Sequence, residues 1–309
     1  MKTKCRPYIT ALLIICVVIT MFPVPAAAAQ SGDLPEAISS ASDLSKISAD
    51  PDGNFVLTAD LVLSGDFTPI FNFSGVLDGQ GHTISNLSIT ATTSLPSVAF
   101  VVSNGGTIKN LGFIDVTVTG INTSKTNWAA AIATQNTGTI ESCYVKGTVS
   151  GGYRSAGICA HNFGTIKNCY AIVNLSAKVE CGEIASVSEA GSLIDSCYAI
   201  PQVHSDVNNT GGISAYAYTG ATIRNCAVYA GSISNVNEEN IGRITGRLKD
   251  APTFSNNIAS DNVLINGSAV SGGVVVYCLK NRQGMSRLGV TWTVRLRRAP
   301  MRPLCSATP

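Results

Sequence analysis

Histidine is nearly missing from this chain of 309 residues: only His82, His161 and His204 occur. None stands at a metal-ligand spacing from another histidine or a cysteine pair, so no metal site is supported and no cofactor is called for. Beyond residue 29 no apolar stretch approaches the roughly 20 residues that a membrane span needs, which argues against a span in the mature chain. The body also lacks a basic face. The formal charge of +2 combines three basic residues and no acids in residues 1–29, seven basic residues and no acids in residues 280–309, and 11 basic against 19 acidic residues between them. An acidic body does not attract phosphate, which argues against nucleic acid as a partner. A 3.6-residue apolar period is missing too, and that disfavours a helical solenoid.

What is present is repetition. Thr107-Ile108-Lys109-Asn110-Leu111, Thr139-Ile140-Glu141-Ser142-Cys143-Tyr144, Thr165-Ile166-Lys167-Asn168-Cys169-Tyr170, Leu193-Ile194-Asp195-Ser196-Cys197-Tyr198 and Thr222-Ile223-Arg224-Asn225-Cys226 repeat one another, with Thr83-Ile84-Ser85-Asn86-Leu87 before them and a degraded Thr253-Phe254-Ser255-Asn256 after them. From Ile84 the isoleucine recurs after 24, 32, 26, 28 and 29 residues, a period that signals a stacked repeat architecture. Within one repeat Cys169, Ala171, Val173 and Leu175 alternate as a half-buried strand does. Ile166 and Cys169 lie three apart and both face inward only if the chain bends between them. Asn168 tolerates the left-handed conformation such a bend uses.

These features predict an all-β fold, a right-handed parallel β-helix of about six to seven coils. Ile108, Ile140, Ile166, Ile194 and Ile223 form one core ladder, and Cys143, Cys169, Cys197 and Cys226 another, with Leu87 and Leu111 above them in the same column. The residue after each isoleucine, Lys109, Glu141, Lys167, Asp195 and Arg224, alternates in sign and is expected to form an exposed ion-pair ladder across coils about 4.8 Å apart.

Residues 1–29 read as a secretory signal, with Lys2, Lys4 and Arg6 before an apolar run and a small-residue cleavage region. The expected localisation is therefore secreted or extracellular. Residues 30–64 are expected to cap the stack with a short helix over 37–47 and a strand over 54–61. The repeats occupy 65–270. Residues 271–309 form an irregular basic tail, read either as an anchor to an acidic surface or as a truncated or out-of-frame end.

Ala156-Gly157-Ile158 leading to Gly164-Thr165-Ile166-Lys167-Asn168-Cys169-Tyr170, and Gly211-Gly212-Ile213 leading to Ala221-Thr222-Ile223-Arg224-Asn225-Cys226, resemble the GLUG repeats of bacterial surface proteins. Phe73-Ser74-Gly75-Val76-Leu77-Asp78-Gly79-Gln80-Gly81-His82 is similar to the coil that opens such arrays. The resemblance covers roughly residues 54–260. It implies a cell-surface, adhesin-like scaffold whose partner is a surface glycan or a host or cell-envelope protein. Some relatives carry a zinc protease domain, but this sequence has no His-Glu-x-x-His stretch.

Four further readings stay open. The ten cysteines are expected to be a reduced internal ladder, because in-register neighbours about 4.8 Å apart exceed the usual disulfide range of about 3.5–4.5 Å; disulfides and metal are the alternatives. Tyr144, Tyr170 and Tyr198 follow the buried cysteines and form an outward aromatic strip, serving either sheet packing or sugar binding. An active carbohydrase would need two or three carboxylates gathered on one face. Asp78 is the tempting candidate, although Asp-Gly is also a plain turn. The excursion at 120–127 is the remaining binding candidate, since solenoid insertions often carry function.

Overall fold

Period-two alternation broken by left-handed asparagines bends the chain through a corner once per repeat, and the corners stack. In the computed structural model, which describes residues 34–270, the result is a parallel β-helix of about seven turns. The expected signal segment, 1–29, and the expected basic tail, 271–309, lie outside the described residues. The chain divides at Leu34, and the secondary structure described belongs to the part from Pro35 onward.

Three sheets line the helix among the described residues. The first has nine strands, in chain order Glu36–Ile38, Asn54–Leu57, Val76–Asp78, Thr107–Lys109, Thr139–Glu141, Thr165–Lys167, Leu193–Asp195, Thr222–Arg224 and Thr253–Ser255. The second, of 16 strands, includes the two 13-residue strands Tyr144–Ala156 and Tyr170–Gly182. The third has six, from Val101–Asn104 to Thr245–Leu248. Apart from the closing pair Val263–Ile265 and Ser268–Ala269, these strand pairs are parallel.

Ile108, Ile140, Ile166, Ile194 and Ile223 pair in register and are each 0% exposed. Across the interior lie Ile132, Ile158, Ile184, Ile213 and Ile244, also fully buried. Burying one such aliphatic side chain contributes about 1.5–3 kcal/mol, so a column repeated in every layer supplies the main driving force. Gly157 precedes Ile158 because a Cβ there would come within 2.4 Å of the Glu183 carbonyl oxygen.

The corners are set by Asn110, Ser142, Asn168, Ser196, Asn225 and Asn256, all with φ between 53° and 55°. The first five pass their backbone N–H to a carbonyl oxygen of the next layer, as Asn110 does to Glu141 at 3.0 Å and Asn168 to Asp195 at 3.0 Å. A second polar column runs inside. Asn104 Nδ2 donates to Asn136 Oδ1 at 2.7 Å, and Asn136 Nδ2 donates to Asn162 Oδ1 at 2.8 Å, with all three residues buried. Side-chain amides can bond to their own images in adjacent layers, which is how polar groups persist in this core.

Two details differ from the sequence reading. Thr83-Ile84-Ser85 belongs to the second sheet, where Ile84 pairs with Phe113; Leu77 is the residue that pairs with Ile108. Leu87 accordingly lies outside the cysteine column, its carbonyl accepting from Thr117, whereas the Leu111 carbonyl accepts from Tyr144 in that column. The start of the stack also differs. Residues 36–38 are a strand on the first sheet, and the helical part is a short turn, Ala41–Asp43, leading into Leu44–Ala49. Asp43 Oδ2 accepts the Ser40 N–H at 2.9 Å and fixes that start, while Leu44 and Ile47 cover the core. The strand expected over 54–61 is two, Asn54–Leu57 and Leu61–Val62.

Candidate functional site

Side chains that point out from the first sheet form a charged column. Its members pair as Asp78–Lys109 at 3.2 Å, Glu141–Lys167 at 3.1 Å and Asp195–Arg224 at 2.7 Å. These are three separate pairs, in place of the continuous ladder expected, and Lys109 pairs backward with Asp78. Each of the three cations closes on one carboxylate, the one in the layer before it. Partial burial works to raise the Asp78 carboxyl, but Asn110, the Gln80 N–H and Lys109 outweigh it and hold the group below its usual range. Asp195 is lowered in the same way, burial being outweighed by Asn225 and Arg224. Asp78 is therefore a corner acceptor engaged on three sides, with Asn110 Nδ2 at 3.0 Å and the Gln80 N–H at 2.9 Å.

One residue past the corner lie the cysteines. Cys143, Cys169, Cys197 and Cys226 are buried and free, as are Cys159 and Cys181. Each of the four column thiols faces a carbonyl oxygen in its own corner, such as Cys143 Sγ with Glu141 at 3.2 Å and Cys226 Sγ with Arg224 at 3.1 Å. Burial pushes the Cys143 and Cys197 thiols well above their usual value and the Cys159 thiol up to about 12. Buried neutral thiols of this kind pack as small apolar groups.

Tyr144, Tyr170 and Tyr198 follow on the second sheet in register. Their rings stack, with centroids 4.9 Å apart and planes 2° apart for the first pair, and 4.6 Å and 12° for the second. Tyr198 is 42% exposed. Burial, and then the adjacent rings, raise the Tyr170 hydroxyl above its usual value of 10.0, so it stays a neutral donor in neutral solution. The column's next position is Gly112, which pairs with Tyr144 and, on its other side, with Thr83. Here the surface is concave. A notch of about 430 Å³ is lined by Gln80, Gly81, Asn110, Gly112, Ser142 and Tyr144, with Leu111 also on its wall.

A second cluster, on the other long side of the same sheet, was not singled out by the sequence reading. Trp128, Arg154 and Glu180 share one column, and the Arg154 guanidinium bonds Glu180 while lying 5.9 Å from the Trp128 ring centre. The Trp128 and His161 rings meet edge to face with centres 4.8 Å apart, and the Phe163 ring centre lies 4.7 Å from that of His161. His161 Nε2 and Glu189 Oε1 are 2.5 Å apart. Burial lowers the His161 pKa against the raising pull of Glu189. The signal for this column is the 26-residue spacing of Trp128, Arg154 and Glu180, equal to the coil between them. The excursion at 120–127 ends beside it. Its Asn127 Oδ1 accepts from Thr123 Oγ1 at 3.0 Å, and Trp128 Nε1 donates to the Lys125 carbonyl oxygen at 3.0 Å.

No known protein-family model matches this chain. Among curated proteins it is similar to halomucin of Haloquadratum walsbyi, 37% identical over 99 residues that make up 30% of this chain and 1% of halomucin. The chain therefore corresponds to a very small part of that protein's length. Among solved structures, one from Bacteroides ovatus that is assigned by name to the immunoglobulin A1 proteases superposes with a TM-score of 0.62 at 20% identity, covering 79% of this chain and 83% of that one. A second, named IgA1 protease, superposes with a TM-score of 0.55 at 18% identity, over 78% of this chain and 21% of the other. At these identities what is shared is the fold: a parallel β-helix is the architecture this chain has in common with both.

Proposed function

We propose that the chain is a secreted, cell-surface repeat scaffold of the GLUG type, adhesin-like and non-enzymatic, which contacts a surface glycan or a host or envelope protein through the Tyr144, Tyr170 and Tyr198 strip. The single observation that carries this reading is the stack of three tyrosine rings spaced 4.6 to 4.9 Å apart on a rigid sheet face. Aromatic faces and edges next to hydroxyls are the usual contact surface for sugars and for protein partners.

Other features support it. The carboxylates on the first sheet are engaged by cations, Asp78 by Lys109, Glu141 by Lys167 and Asp195 by Arg224. Such pairs stiffen a surface and leave few groups for acid and base roles. The matched region makes up 21% of the protease chain and 1% of halomucin, so in both proteins it is one part of a longer molecule. That is the arrangement expected of a stalk or presenting module.

The test is binding of the purified protein to a glycan array and to immobilised host-surface proteins, with Tyr170→Ala beside it. Retention on at least one ligand, weakened by the substitution, is the expected result. Release of products from polygalacturonate or alginate would instead assign it to the carbohydrate-active β-helix enzymes.

A further inference from the structure

We propose that the notch over Gly112 is a binding site for one neutral pyranose ring at the end of a glycan. The inference rests on the tyrosine strip being the ligand-facing surface and places the ligand at its N-terminal end.

Three stacked rings set a repeat of 4.6 to 4.9 Å along the helix. A fourth tyrosine in this register would stand at position 112, and glycine stands there instead. The Tyr144 ring lies over Gly112, where a Cβ would fall 2.3 Å from Tyr144 Cζ, and the ring and the glycine both line the notch beside them. No side chain at position 112 continues the stack, and the 430 Å³ notch opens at this place. A pyranose ring presents a flat apolar C–H face of about the same size as a phenol ring, so it can take the next place in a stack of aromatic rings.

The remainder of the lining suits the hydroxyls at the edge of such a ring. Asn110 Nδ2 is held by Asp78 Oδ1 at 3.0 Å, which turns the amide and leaves its oxygen as an acceptor. The Gln80 backbone N–H bonds the same Asp78 oxygen at 2.9 Å, fixing the loop while its side-chain amide is uncommitted among the described residues. Ser142 adds a hydroxyl on the facing corner. Together they offer donors and acceptors in a fixed frame, which an aromatic side chain from a peptide would leave unpaired at a cost. The lining itself carries no charge. Asp78 and Lys109 neutralise each other at 3.2 Å, and the Lys146 ammonium is directed at the Tyr144 ring, 5.8 Å from its centre. This balance favours a neutral hexose over a uronic or sialic acid.

The experiment is ligand-observed NMR titration of the full protein with methyl glucoside, methyl galactoside, methyl mannoside, N-acetylneuraminic acid and a short tyrosine-containing peptide. At least one neutral methyl hexoside is expected to bind, with Tyr144→Ala weakening it by about tenfold. Gln80→Ala is expected to weaken it as well. Tyr144→Phe, which keeps the ring, should retain binding, and Tyr198→Ala at the far end should leave it within about twofold. Thermal melting of each variant separates loss of binding from loss of fold. Binding removed by Tyr198→Ala but not by Tyr144→Ala would overturn the notch and leave the strip reading standing. Binding of the acid or the peptide alone would overturn the notch, as would no binding at all. A blank glycan array with a methyl hexoside still seated in the notch would overturn the adhesin reading instead.

Discussion

Glu183 is the residue at which this fold departs furthest from ordinary practice. Its carboxyl is fully buried; Oε1 accepts the Val173 N–H at 2.6 Å, while Oε2 has no hydrogen-bond partner. Burial pushes its pKa well above the usual 4.5, because an ionised carboxylate in the core would lose its hydration. Gly157 and Gly212 hold the same position in the adjacent layers, the Gly157 N–H bonding the Glu183 backbone carbonyl at 3.0 Å. The sign of the pH effect follows directly. The folded chain holds this proton more tightly than the unfolded chain, so its contribution is full at pH values below 4.5 and is lost as pH rises through the folded value. Glu183→Gln, neutral at every pH, is expected to melt higher than the native chain at pH 8 and to lose part of the pH dependence. Melting curves of the two proteins from pH 4 to pH 9 that run parallel would contradict it.

At the scale of elements, the buried Asn104, Asn136 and Asn162 amides join three layers of the third sheet. Asn136→Ala removes the central member and leaves a donor on one side and an acceptor on the other without partners. A loss of about 1–3 kcal/mol is expected, measured by denaturant unfolding. Asn136→Leu, which keeps the volume, should be no better. The Thr-Ile elements and their corners were legible in the sequence because two requirements coincide at each: an inward isoleucine and a residue that accepts a positive φ. The same economy misled the reading of the first coil. Asn86 also has a positive φ, at 59°, but at a different corner, so Thr83-Ile84-Ser85-Asn86-Leu87 imitates the repeat one sheet away from its place. Asp78 reads in the sequence as a tempting carboxylate that is equally a plain Asp-Gly turn, and in the fold it heads the charged column. The Trp128, Arg154 and His161 cluster was hidden differently. Its members come from separate coils, and their meeting depends on lateral position along strands whose lengths are unequal. The notch beside Tyr144 leaves no mark in the sequence pattern because it is made by a glycine, Gly112, whose contribution is the side chain it omits.

Across the whole molecule, near-identical layers create a hazard that a globular core does not face: a coil could dock on the layer after next. The charged column bears on that hazard. Asp78, Lys109, Glu141, Lys167, Asp195 and Arg224 alternate in sign in the native order. A chain that skipped one coil would set Lys109 against Lys167, or Glu141 against Asp195. Each such contact trades an attraction of about 0.2–1 kcal/mol for a repulsion of similar size, repeated wherever the skipped order persists. Replacing all five of Lys109, Glu141, Lys167, Asp195 and Arg224 by serine should change the melting temperature little but lower the yield of correctly refolded protein from denaturant. An unchanged yield would remove this role. The column thus acts as a parity check on winding: removing two adjacent internal coils preserves the alternation, whereas removing one internal coil sets like charges side by side, so folded length variants that gain or lose internal coils here should differ by even numbers of turns.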